Sequence, residues 1–136
     1  MFSINDRHHF RFNTRLRTEM LDVWKEAVDF VNRVNVVVVR FPDVTKRDLK
    51  HKVITTSVRI ADLVARSSES RSPQALESGL REAIAAVHET MAQLYIAKQW
   101  NYLAHSYYQE LFEEGRGMVQ KLCLFGGFTY AEQDHN

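Results

Sequence analysis

The sequence predicts an all-α fold, an up-down-up-down four-helix bundle of antiparallel neighbours, and three observations carry that prediction. Apolar residues recur at alternating spacings of three and four through four long segments, the period of a helix with one buried stripe. Glycine and proline are scarce, five and two in 136 residues, and both prolines fall at segment boundaries. The connections between segments are short, which lays consecutive helices side by side in opposite directions. The expected organisation is an arm over residues 1–13, the bundle over 14–125 and a tail over 126–136.

The arm is basic and aromatic, with Arg7, His8, His9, Phe10, Arg11 and Phe12. Interleaved arginines and rings can contact phosphates and stack on bases, or simply lie over a neighbouring surface. The first helix is expected over about 14–40, with Leu16, Met20, Trp24, Ala27, Val31, Val34 and Val38 as its stripe. Val23, Val28, Phe30 and Val37 widen the apolar surface beyond what one core needs, which makes them candidates for an oligomer interface. The four consecutive valines at 36–39 favour strand by propensity. A lone strand among helices has no partner, so helix is the reading there.

Pro42 ends this helix, because a proline disfavours helical geometry at the residue before it. Thr45 and Asp48 resemble a capping box opening the second helix. Its stripe is Leu49, Val53, Ile60 and Val64, with Thr56 or Ser57 in the middle turn. Its outer residues are basic: Lys46, Arg47, Lys50, Lys52, Arg59 and Arg66, opposed within the helix only by Asp48 and Asp62. Lys46, Arg47, Lys50, Arg59 and Arg66, with Arg7 and Arg11 of the arm, are the candidate nucleic-acid contacts. The alternative is a merely solvated face.

Ser72 followed by Pro73 is a helix start, an N-cap hydroxyl and then proline at the first helical position. The third helix follows over 73–99, with Leu80, Ile84, Val87, Met91 and Leu94 on one stripe. Ala83, Ala86 and Ala97 flank it and allow a neighbouring backbone to come close. The fourth helix is expected over about 105–124, with Tyr108, Leu111, Met118, Val119, Leu122 and Phe125 inward. Gly115 and Gly117 each weaken it by about 1 kcal/mol relative to alanine and allow a close crossing or a bend. Gly126-Gly127 is its stop. Trp24 and Trp100 read as packing residues.

Little in the sequence points to catalysis. There is no pair of Glu-x-x-His elements for a di-metal bundle, and the nearest spacing, Asp48-x-x-His51, occurs once. No glycine-rich phosphate loop is present, and no activating base can be placed beside Cys123. The reading is therefore not an enzyme, with no metal and no cofactor. The single cysteine and the lack of a long apolar run fit a cytoplasmic protein away from membranes. Charge is uneven: residues 1–71 hold 14 Lys and Arg against 9 Asp and Glu, whereas 72–136 hold 4 against 8. Either the two halves pair with each other, or the first builds a basic surface for an anionic partner.

The series Asp22-Val23-Trp24-x-x-Ala27, Phe41-Pro42 and Ile60-x-x-x-Val64-Ala65 resembles the four-helix-bundle family named after the 23S rRNA intervening sequence. Leu80-x-x-Ala83 with Glu89, Leu94-x-x-Ala97-Lys98 and Tyr102-Leu103 extend the likeness over roughly 21–122. The resemblance implies a ring-like homopentamer. Through the related accessory variability determinants of diversity-generating retroelements, it also implies binding to a reverse transcriptase and to nucleic acid, RNA foremost. The chain departs from the family at the end of the second helix, where the usual Asn-Ile-Ala-Glu-Gly becomes Leu63-Val64-Ala65-Arg66-Ser67. The role of that motif does not carry over. The leading expectation is a non-catalytic homo-oligomeric scaffold that binds nucleic acid, a reverse transcriptase or both; the alternative is a scaffold for proteins alone.

Overall fold

The computed structural model describes residues 14–42 and 47–127; the arm and most of the expected tail lie outside the described residues. Four helices form, α1 (Thr14–Val38), α2 (Arg47–Ser67), α3 (Pro73–Gln99) and α4 (His105–Gly126), with no strand among the described residues. The valine run continues α1 as helix through Val38 and turns at Val39. Ser72 caps α3 as its chemistry requires, its hydroxyl accepting from the Ala75 N–H at 3.0 Å with Pro73 next in line. The α4 helix ends on Gly127, whose φ of 71° is the left-handed cap geometry that glycine adopts without cost.

Each helix packs on the next in sequence, and α1 closes the ring on α4, while the diagonal pairs lie farther apart. Contacts along α1 and α4 run in opposite order: Glu26 pairs with Lys121, and Arg33 with Glu114. The core takes Met20, Val23, Ala27, Phe30, Val34 and Val38 from α1. This corrects the expected stripe. Val23 and Phe30 occupy the places given to Trp24 and Val31, a rotation of about 40° at 3.6 residues per turn. Because both members of each adjacent pair are apolar, periodicity alone left two neighbouring solutions. Trp24 packs half-buried against the edge of the core.

The rotation also corrects the oligomer candidates. Val23 and Phe30 are 3% and 0% exposed within one chain, so intrachain packing already uses them. Val37 is half-buried against the same core, and Val28 is half-buried too. Among the described residues, Val36 of α1, Val39 just past its end and Val58 of α2 are large apolar side chains left in solvent.

Small residues bring α2 and α3 together. Ala83, Ala86, Thr90 and Ala97 are fully buried on α3. Gly79 faces Ser67 so closely that an added Cβ would overlap the serine Oγ. The buried hydroxyls return to their own helices: Ser67 donates to Leu63 O at 2.8 Å, Thr90 to Ala86 O at 2.8 Å and Ser57 to Ile54 O at 2.9 Å. One side-chain hydrogen bond crosses the seam, from Gln93 Nε2 to Thr56 Oγ1 at 3.2 Å. It leaves Gln93 Oε1 buried without a partner. Gly115 of α4 sits against α3, where a Cβ would meet Val87 Cγ1 at 3.3 Å, whereas the space around Gly117 is open.

Two glycine substitutions therefore separate propensity from packing. Gly117→Ala should stabilise the fold by about 1 kcal/mol through helix propensity alone. Gly79→Ala should destabilise it by about 1–3 kcal/mol, because the methyl group overpacks the α2–α3 seam. Urea unfolding of both variants checks the signs. Stabilisation by Gly79→Ala would show that the seam is looser than described.

Candidate nucleic-acid interface

The exposed face of α2 decides whether the chain can present a basic surface. Lys52, Arg59 and Arg66 are exposed and recur every seven residues. Seven residues make almost two turns, so the three lie on one line, drifting by about 20° per step, with about 10 Å between neighbours. Lys50 does not join them. It lies nine residues, about two and a half turns, from Arg59, which puts it on the opposite flank of the helix. Lys50 and Arg59 therefore do not share a face, whereas Lys52 and Arg59 do. Arg47 opens α2, while Lys46, Arg7 and Arg11 lie outside the described residues.

Neither Lys52 nor Arg59 makes an ion pair with a described residue. Arg66 Nε lies 3.2 Å from Asp62 Oδ2, but both side chains are over 60% exposed. Such a pair contributes at most about 1 kcal/mol and is screened by salt. The α2–α3 register adds a further constraint. With Thr56 opposite Gln93 and Ser67 opposite Gly79, the exposed Glu89 falls level with Arg59 and Glu82 with Arg66. Ile96 falls level with Lys52. Two of the three cations thus have a carboxylate at the same height on the next helix, and the Lys52 end carries the least compensated charge.

The opposite seam, α1–α4, is built from charge pairs. Lys121 Nζ reaches Glu26 Oε1 at 2.7 Å, and Arg33 donates to Glu114 Oε1 at 3.1 Å. The Glu114 side chain is only 13% exposed. Burial holds its pKa above the usual carboxylate range; Arg33 works against this, and the negative charges of Glu26 and Asp29 reinforce it. Two cross-helix ion pairs and a largely buried carboxylate are features of a structural seam. Among the described residues there is no group of three metal-ligating side chains, and no described helix is long and apolar enough to cross a membrane. Cys123 is buried in the core.

Sequence reasoning missed the corner where α3 turns into α4. Trp100, read as packing, is 46% exposed there, and Tyr95 and Phe112 are also exposed nearby. The signal was present in the dense aromatic spacing of Tyr95, Trp100, Tyr102, Tyr107, Tyr108 and Phe112.

A family model described as 23S rRNA-intervening sequence protein matches residues 19–123, which span all four helices. No curated protein matches the chain, and no solved structure does.

The Glu114 geometry has a pH consequence. With its pKa raised on folding, the native state holds a proton that the unfolded chain has released, so stability falls as pH rises through the interval between the two values. Glu114→Gln removes that slope. Urea midpoints of the native protein and the variant between about pH 4 and pH 7 should show the native protein losing ground as pH rises. Parallel curves would contradict the assignment.

Proposed function

The chain belongs to the 23S rRNA-intervening sequence protein family, and from that premise we propose that it is a non-catalytic, cytoplasmic scaffold that binds nucleic acid, RNA foremost. In this reading the helices form an antiparallel up-down-up-down bundle, and the bundle assembles as a ring-like homopentamer. The opposite order of contacts between α1 and α4 supports the first point. Exposed Val36, Val39, Val58 and Leu124, with half-buried Val28, are among the apolar side chains available for the second. The single observation that carries the nucleic-acid reading is the line of Lys52, Arg59 and Arg66 along α2. A symmetric assembly multiplies such a modest line into an extended positive field. A reverse transcriptase partner belongs to the same proposal through the retroelement branch of the resemblance.

A second reading has its own observation. Asp62, Glu82 and Glu89 stand beside or level with the α2 cations, as expected of a stripe balanced within the protomer. On that reading the bundle docks proteins alone and shows no salt-dependent affinity for RNA.

Charge reversal separates the two. Lys52→Glu with Arg59→Glu should leave folding intact, since both residues are exposed, and should weaken binding to a structured RNA at least tenfold. It should also flatten the dependence of log affinity on log salt by about 1.5–2 for two lost phosphate contacts. Lys25→Glu, exposed on α1, serves as the control. If the double variant binds as the native protein does, the α2 stripe is not the site.

A further inference from the structure

We infer that the α3–α4 corner is a stacking platform for unpaired bases of single-stranded nucleic acid, with Trp100 as the exposed ring and Lys52, at the near end of the α2 stripe, as the phosphate contact. The inference rests on the nucleic-acid reading above and adds a second surface and a preference for strandedness.

The corner combines rings, cations and a fixed backbone. Trp100 meets Tyr102 edge-on at 5.9 Å between centroids, and Tyr102 in turn packs on Phe41 at 5.8 Å. Lys98 Nζ sits 4.9 Å from the centroids of both Tyr95 and Tyr108, and these two rings are 5.9 Å apart. The ammonium is thus placed by two ring faces rather than neutralised by a carboxylate. Beside Tyr102 lies an open depression of about 490 Å³, lined by Lys98, Asn101, Tyr102, Leu103, Ala104 and His105. That size falls within the range of about 300–1,000 Å³ common to small-molecule clefts, and no carboxylate lines it.

The backbone that carries these groups is tightly tied. Trp100 N–H donates to Ile96 O at 3.0 Å, Asn101 N–H to Lys98 O at 3.0 Å and Tyr102 N–H to Ala97 O at 2.9 Å. Asn101 itself takes φ 67° to make the reversal. The backbone of such a turn is set before any ligand arrives, so less freedom is lost on binding. Aromatic faces beside cations are what single strands use, because every base offers a π-face whatever its sequence. The corner also continues the α2 stripe. Lys52, the least compensated cation, is level with Ile96, one turn before Trp100. A strand tracking that stripe arrives at the rings.

Trp24 and Trp100 are the only tryptophans in the chain, so Trp24→Phe leaves Trp100 as a single reporter. Into this variant one titrates a labelled, mixed-sequence single-stranded RNA of about 12 nucleotides, reading label anisotropy for binding and Trp100 emission for stacking. Anisotropy should rise with concurrent quenching of Trp100. In the native background, Trp100→Ala should lower single-strand affinity by about 5- to 150-fold, Trp100→Phe should restore most of it, and a blunt duplex should notice neither change. If anisotropy rises while Trp100 emission stays fixed and Trp100→Ala binds normally, the platform is overturned and the nucleic-acid reading survives. Absence of binding by strand and duplex alike sinks both.

Discussion

Ser67 and Gly79 meet so closely that one methyl group on the glycine would overlap the serine hydroxyl, and this contact fixes how α2 and α3 slide past each other. Alanines and a threonine continue the same seam along α3, so the two helices approach to a distance that larger side chains would forbid. Interiors packed at this density do not deform continuously. A register set by the glycine–serine contact therefore holds along the seam. It also decides which exposed residues face one another, and through them the electrostatic character of the surface.

The basic line on α2 illustrates the consequence. Its three cations follow from the α2 sequence alone, but their strength as a field depends on what α3 places beside them. The register sets Glu89 and Glu82 at the heights of Arg59 and Arg66, leaving Lys52 toward the α3–α4 corner. That corner carries Trp100, Lys98 and His105 with no carboxylate in its depression. Exposed rings and the least compensated cation of α2 thus lie toward the same end of the bundle. The α1–α4 seam shows the opposite use of charge, with Arg33 and Lys121 pairing across to α4 and α1 carboxylates instead of facing outward.

Much of this was legible in the sequence, for identifiable reasons. Helix α3 was read to its boundaries because Ser72 and Pro73 have capping chemistry with few other uses, and the Gly126-Gly127 stop was equally explicit. Helix α1 was read about 40° round its axis, since Val23 beside Trp24 and Phe30 beside Val31 offer two apolar stripes of the same period. Packing volume, not periodicity, chose between them. Lys50 was grouped with Arg59 by composition, although nine residues of helix set them back to back. The exposed ring of Trp100 was hidden by the general rule that tryptophan packs inside. The function of Gly79 depended on Ser67 across the seam, a contact that one-dimensional spacing does not contain.

The family places this chain among proteins tied by name to rRNA intervening sequences, and the described residues hold no group of three metal-ligating side chains. The central claim is that the bundle works as an assembled, RNA-binding scaffold. Light-scattering mass tests it most directly, measured on the protein alone and with a structured RNA, at low and at moderate salt. The account predicts a mass near that of five chains, increased by RNA and returning to its starting value as salt rises. A stable monomer whose mass ignores RNA at either salt would contradict it.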